Sequence, residues 1–243
     1  MSEHKIVSIH QPQYWPWLGL IDKIMKSDIH VVLDDVKFNT DGFQHRTLYR
    51  VYNSDKSKYL TIPYDKKTKR DKISAVRIDV DDTWQREHLR LIKLSYKRTP
   101  FFEEIFPYIE TIFVKKYSFL ADLNLDILKL LLELFEIDVV MILSSELNSH
   151  EKKDALTLDL TKKAKGSVYL SGQGAKDYMN NSIFKKSGIG LMYQNFVHPT
   201  YQQSKGKIVP GLFSLDLLFN AGLNVSKILL RENLQKEQDE VIY

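Results

Sequence analysis

Residues 5–35 read Lys5-Ile6-Val7-Ser8-Ile9-His10, then Gln11-Pro12-Gln13-Tyr14-Trp15-Pro16-Trp17, then Leu18-Gly19-Leu20-Ile21-Asp22-Lys23-Ile24-Met25-Lys26 and, past Ser27-Asp28, Ile29-His30-Val31-Val32-Leu33-Asp34-Asp35. The first block is an aliphatic strand, Lys5–His10, ending in a histidine. Leu18–Lys26 forms a short amphipathic helix, and Ile29–Leu33 is a second strand ending in paired acids. Strand, helix and parallel strand within about thirty residues make a βαβ unit, which binds ligands beyond the carboxyl ends of its strands. The expected fold class is therefore α/β, with a parallel-sheet core of βαβ type. His10 and Asp34-Asp35 stand at such ends and are expected to face one crevice. Between strand and helix, two prolines stiffen the loop and remove two donors. Tyr14, Trp15 and Trp17 offer flat area at small entropy cost, and His10 offers a group that titrates near neutrality. The loop reads as a preorganised site wall.

Outward from this unit, Tyr59–Pro63 and Ile73–Val80 read as strands joined by a lysine-rich hairpin loop, 66–72. A helical insertion follows at about 82–136: Thr83–Tyr96, a segment opened by Pro100, and Tyr117–Phe135, which is apolar on nearly every side. Val139–Leu143 is a strand. Ser149 is placed to cap a helix over Lys152–Ala164, with Gly166 past its end. Ser167–Leu170 leads through Gly172-Gln173-Gly174 into a helix from about Ala175. Ile189–Gln194 is a last strand, and Ser214 caps a helix over Leu215–Ala221. We expect one α/β domain over residues 1–231 with a helical subdomain at 82–136, and a polar, frayed tail at 232–243.

Hydrophobic residues make up 43% and charged residues 27% of the 243, which suits a globular chain with a sizeable core. The absence of cysteine excludes disulfides and thiolate metal ligands. The amino terminus has no signal-like apolar run, and the longest apolar stretch, Leu120–Phe135, is broken by Asp122, Asn124, Asp126, Lys129 and Glu133. A cytoplasmic protein without a membrane span is expected. The net charge of +4 is mild, the 66–72 block reads as a solvated loop, and no nucleic-acid signature is present. The oligomeric state, a homo-oligomer included, is not set by these features.

Four stretches carry chemistry. His10, Gln11, Tyr14 and Trp17 provide an acid/base group and side chains that fix a polar substrate. Asp34-Asp35 with Phe43-Gln44-His45-Arg46 provides acids for Mg²⁺, hydroxyls or an amine, and an arginine for phosphate or carboxylate. In Tyr169-Leu170-Ser171-Gly172-Gln173-Gly174-Ala175-Lys176, a strand, a glycine turn and a helix start suit a phosphate, with Lys176 adding charge. Asn195-Phe196-Val197-His198-Pro199-Thr200-Tyr201-Gln202-Gln203 echoes the opening loop, so His198 and His10 could face each other across a cleft. Asp216 and Asn220 share a helix face, read as capping and packing. No HExxH, Walker A, nucleophile elbow or GxGxxG occurs, and no spacing argues for a metal site.

Together these stretches resemble the WbqC-like family over nearly the whole chain. Its pattern is matched by Ile9–Gly19, Asp34–Phe38 (D-D-V-x-F), Phe43–Arg46 (F-Q-x-R), Tyr169–Gly174 (Y-L-S-G-x-G), His198–Gln203 (H-P-x-Y-x-Q) and Ser214–Gly222 (S-x-x-D-x-x-F-N-x-G). The resemblance implies a cytoplasmic enzyme of O-antigen or capsule biosynthesis acting on a sugar intermediate, attaching an aminoacyl or acyl group to an amino sugar. The opening β-loop-α-β and Gly174-Ala175-Lys176-Asp177-Tyr178 are also distantly similar to pantothenate synthetase and related nucleotidyl-transferring folds. Those enzymes adenylate a carboxylate and pass it to an amine. They carry two histidines in the opening loop, where this chain has His10 and, at the place of the second, Trp17 or Gly19.

On that resemblance the expected substrate is a nucleotide-linked amino sugar and the expected cofactor ATP with Mg²⁺. His10 and His198 handle protons, and Asp34 or Asp35 orients or deprotonates the amine. Arg46 and Lys176 hold phosphates with Ser171, Gly172 and Gly174. Tyr14 and Trp17 stack a sugar or base, while Gln11, Gln44, Tyr201 and Gln203 bind substrate. The alternatives are a nucleotidyltransferase using the same crevice and a noncatalytic nucleotide-sugar binding subunit.

Overall fold

Four-residue strands in which every side chain is buried belong inside a parallel sheet with helices on both faces. The structure, a computed structural model, describes residues 4–79, 81, 83–203, 207–236 and 241–242. Its elements are β1 (Ile6–His10), α1 (Leu18–Met25), β2 (Ile29–Val32), β3 (Arg46–Arg50), β4 (Ser57–Thr61), α2 (Thr83–Tyr96), α3 (Phe102–Phe113), α4 (Leu120–Phe135), β5 (Val140–Leu143), α5 (Lys153–Lys163), β6 (Val168–Ser171), α6 (Asn181–Lys186), β7 (Gly190–Tyr193), α7 (Leu215–Lys236) and β8 (Val241–Ile242). In β2, β6 and β7 every side chain is buried.

The main sheet runs β5-β2-β1-β6-β7-β8; the first five strands are parallel and β8 is antiparallel to β7. The chain is thus α/β with a parallel core, as its first thirty residues imply. Register pairs Val7 with Ile29 and Tyr169, and Ser8 with His30 and Leu170. Val7, Ile9, Val31, Tyr169 and Leu191 pack under α5 and α6 through Leu160 and Phe184. On another side, Val32 packs with Leu20 and Ile24 of α1 and Leu128 and Leu132 of α4. Winding therefore passes from α1 and α4 to α5 and α6 where the strand order reverses, between β1 and β6. In open α/β sheets that reversal opens a crevice at the carboxyl ends of the strands.

A second, larger core joins α2, α3, α4 and α7 to the β3–β4 hairpin and to the opening loop. Gly222 kinks α7 at φ 74°, and a Cβ there would lie 2.6 Å from the Phe101 ring. Residues 83–135 are helical but for short connections, with Pro107 inside α3.

Several expected elements differ. The hairpin pairs Arg46–Arg50 with Ser57–Thr61, a first strand that reads as too polar to predict. Ile73–Val80 is not a strand: Ile73–Ala75 is one 3₁₀ turn, because the Ile73 and Ser74 amides donate to Val36 and Asp34 carbonyls instead of to a neighbouring strand. Of this stretch, Val80 lies outside the described residues. The lysine block is a 3₁₀ turn capped by Asp65, whose carboxylate accepts from the Lys67 amide at 2.9 Å. No helix starts at Ala175. Gln173–Ala175 is a 3₁₀ turn, and α6 waits for the Asn180 side chain, which accepts from the Ser182 amide. Ser214 leaves its buried hydroxyl without a partner, and Ser149 donates to Asp159 across α5, so neither supplies the expected cap. In the stretch expected as a tail, α7 runs to Lys236 and β8 pairs with β7; 237–240 and 243 lie outside the described residues. Among the described residues no helix is long and apolar enough to cross a membrane.

Candidate functional site

The opening loop divides its aromatics between two jobs. Tyr14 and Trp15 are fully buried in the larger core. The Tyr14 hydroxyl hydrogen-bonds Nδ1 of buried His88 at 2.7 Å. Trp15, at φ 42°, gives its carbonyl to the Thr47 hydroxyl at 2.9 Å and packs on Phe113. Trp17 turns the other way, is partly exposed, and lays its ring across Gly19. A Cβ at Gly19 would sit 2.2 Å from that ring, so any larger residue there displaces Trp17. The same ring meets Phe196 edge-on at 5.3 Å. Tyr14, expected to stack substrate, is therefore a core residue, while Trp17 lines the sheet's crevice.

That crevice holds about 330 Å³ and lies where the strand order reverses, with His10, Trp17, Lys23, Ser171, Tyr178 and Gln194 on its walls. The floor is Gly172 and Gly174, where an added Cβ would meet no atom within 4 Å. His10 Nδ1 is 2.9 Å from the Gln11 carbonyl. A carbonyl only accepts, so Nδ1 carries the proton and Nε2 keeps its lone pair. Burial, followed by the charge of Lys23, pulls the His10 pKa down to about 4, and the ring is neutral at physiological pH. Behind it, His30 shares a 2.9 Å bond with Ser8 and is likewise held well below the usual range, chiefly by burial.

Lys23 is buried on α1 and donates to the Ile9 carbonyl at 3.0 Å. Burial lowers its pKa to about 8. Gln194 closes the far wall, donating to the Gly19 carbonyl at 2.8 Å and to Asp22 at 2.5 Å. Among the described residues no carboxylate lines the crevice. Lys23 and Gln194 are the residues that sequence reasoning missed; a lysine one residue from Ile24 and three from Leu20, on a buried helix face, was the available signal for the first.

Other expected site residues are engaged elsewhere. Gln11 accepts from Gln44, which is itself buried and gives its carbonyl to Asn124 at 2.7 Å. Arg46 donates to the Asp41 carbonyl and lies 4.7 Å over the Tyr59 ring. Asp34, buried, accepts from the Ser144 and Ser145 hydroxyls and the Ser145 amide at 2.8–2.9 Å, which clamps β2 to β5. Asp35 takes Ser144 at 3.2 Å and Lys72 at 3.3 Å. Lys176 is exposed, near the Tyr193 ring.

His198 bonds the Pro199 carbonyl and stacks on Tyr201 at 5.9 Å; it is not on the crevice wall with His10. Tyr201 and Gln203 both donate to buried Asp216, at 2.7 and 3.0 Å, as does Tyr96 at 2.9 Å. Gln203 also accepts from Arg50 at 2.5 Å. Among the described residues no group of three or more acids and histidines is placed to hold a metal ion. A magnesium ion accompanying ATP in the crevice would find no carboxylate there among the described residues.

The model of the WbqC-like protein family matches residues 11–228. The chain is 27% identical over 221 residues, 90% of its own length and 94% of the other's, to "Uncharacterized protein Rv1507c" of Mycobacterium tuberculosis. No solved structure matches.

Proposed function

Because the chain belongs to the WbqC-like protein family, we propose that it is an enzyme of bacterial surface-polysaccharide biosynthesis. In this reading it attaches an aminoacyl or other acyl group to the amine of a nucleotide-linked amino sugar. The observation that carries the reading is His10: a neutral imidazole with Nε2 unoccupied, in a crevice at the reversal point of a parallel sheet. The amine nitrogen attacks the acyl carbonyl carbon of an activated donor (acyl phosphate, acyl adenylate or thioester). An N–C bond forms, the bond to the leaving group breaks with its electron pair, and the amine's proton passes to Nε2. A pKa near 4 makes a weak base in the open crevice; an anionic substrate beside the ring raises it toward neutrality.

Size bounds what is enclosed. At about 330 Å³ the crevice is at the low end of the ~300–1,000 Å³ usual for small-molecule sites. It takes a sugar and a phosphate, and leaves the base over the rim, where Trp17 and Tyr178 offer exposed rings. Ser171 supplies a hydroxyl at the floor, and Gly172 and Gly174 supply room.

The test is incubation with nucleotide-linked amino sugars, ATP and amino acids, or with acyl thioesters, followed by mass spectrometry. An amide product carries the reading. Pyrophosphate release without an amide favours the nucleotidyltransferase, and binding without turnover favours a noncatalytic nucleotide-sugar subunit.

A further inference from the structure

We propose that Lys23 is the crevice's anion receptor, and that the ligand taken there presents a phosphoryl or carboxylate oxygen to its ammonium group. The inference rests on reading the crevice as the substrate site and names the charge of what that site accepts.

Lys23 extends from α1 over the carboxyl end of β1 and is 4% exposed. One of its three N–H groups is used, on the Ile9 carbonyl. Its amine lies 6.0 Å from the centre of the Tyr169 ring, a distant and weak cation–π contact. No carboxylate partners it among the described residues. Asp22, next in sequence, is turned to Gln194 at 2.5 Å and to Lys26 at 3.4 Å. Asp34 is held by Ser144 and Ser145. The titratable groups facing the amine are His10 and His30 from the sheet, both uncharged, with Tyr169 on β6 and Tyr178 across the crevice. Desolvation is therefore unopposed at Lys23, and its pKa falls instead of rising as it would in an ion pair.

A buried ammonium is normally paired, because leaving it alone forfeits hydration without a Coulombic return. Lys26, three residues on and with its side chain almost as shielded, follows that rule by meeting Asp22 at 3.4 Å. Lys23 does not, and it stands on a crevice wall along which no acid lies among the described residues. A ligand oxygen anion would complete the pair. It would also favour the charged amine, so anion binding must be coupled to proton uptake wherever Lys23 is partly neutral.

Calorimetry with three probes tests this: uridine diphosphate (phosphate only), N-acetylglycine (carboxylate only) and uncharged N-acetylglucosamine. At least one anionic probe is expected to bind the wild-type chain and to lose tenfold or more in affinity in Lys23→Gln, with partial recovery in Lys23→Arg. The uncharged sugar is expected to bind both alike. The two anionic arms separate a substrate phosphate from an acyl-donor carboxylate. Should Lys23→Gln fail to fold, the wild type alone decides: at pH 8 anion binding is expected to take up about half a proton. Anion affinity unchanged by Lys23→Gln, no binding of either anionic probe, or no proton uptake at pH 8 overturns the proposal. Anion binding through Lys23 with no amide product in any assay would retain it and remove acyl transfer; amide formation with Lys23→Gln binding anions normally would do the reverse.

Discussion

Two buried polar clusters carry the motifs of this chain, and they are opposite in kind. The Asp216 carboxylate has found its partners inside the protein: Tyr96, Tyr201 and Gln203 donate to it, and Arg50 closes onto Gln203. Around Lys23 the account stays open, with one bond for the ammonium and a lone pair left on His10. A satisfied buried network specifies how β3, the 201–203 segment and α7 meet. An unsatisfied one beside a void leaves its pairing to a ligand. The difference teaches that motif residues at equal depth serve fold or chemistry according to whether their partners are internal.

The comparison breaks most visibly at Asp216. Asp216→Ala takes the shared acceptor from the Tyr96 and Tyr201 hydroxyls and the Gln203 amide in the core, and is expected to cost about 3–5 kcal/mol in urea unfolding. A loss below about 1 kcal/mol would mean the cluster is not the structural member of the pair. His10→Ala is expected to lower turnover about 10²–10⁴-fold with the melting temperature nearly unchanged; a marked fall in melting temperature would make His10 a core residue instead.

Acid sharpens the comparison next. Buried His88, bonded to Tyr14, has a pKa lowered to about 4, mainly by burial. The unfolded chain protonates this group near 6.5 and the folded chain only near 4, so protons favour unfolding across that window. Stability is expected to fall from pH 6.5 to 4, by about 3 kcal/mol at most from His88. His10 adds to the same slope, and His88→Gln should flatten it; an unchanged slope in that variant would remove His88 from the account.

The smallest effects concern glycines. Gly19→Ala drives a methyl into the Trp17 ring and is expected to cost about 1–3 kcal/mol. Gly174→Ala meets nothing and should shift stability by no more than about 0.5 kcal/mol while reducing turnover. Equal thermal shifts for the two variants would contradict the open floor of the crevice.

Much of the fold was legible in the chain. Aliphatic runs such as Ile29–Val32 and the apolar stripe of Leu120–Phe135 announce their own period, because strand and helix are local solutions to burying a face. The β3–β4 pairing was not, since Arg46-Thr47-Leu48-Tyr49-Arg50 earns its strand from a partner seven to fifteen residues away in the register that Thr61 and Ser57 define. Ile73–Val80 misled for the converse reason: an apolar alternation became a turn once Val36 and Asp34 took its amides. Within the site, His10, Trp17, Ser171, Gly172 and Gly174 could be picked out as unusual residues at strand ends. Tyr14 could not be separated from Trp17, because the two rings differ only in which way the loop turns them. Lys23 looked like any lysine on a short helix.

The residues alone determined the α/β class, the placement of His10 at a strand end and the stock of polar groups available for chemistry, since these follow from local periodicity and composition. Only the tertiary structure decided that β6 lies beside β1, that Asp34 and Asp216 are consumed by neighbours, and that Lys23 is not. The physical reason is that desolvation and pairing depend on what surrounds a group in space. Those surroundings are assembled here from segments more than a hundred residues apart, such as β1 and β6.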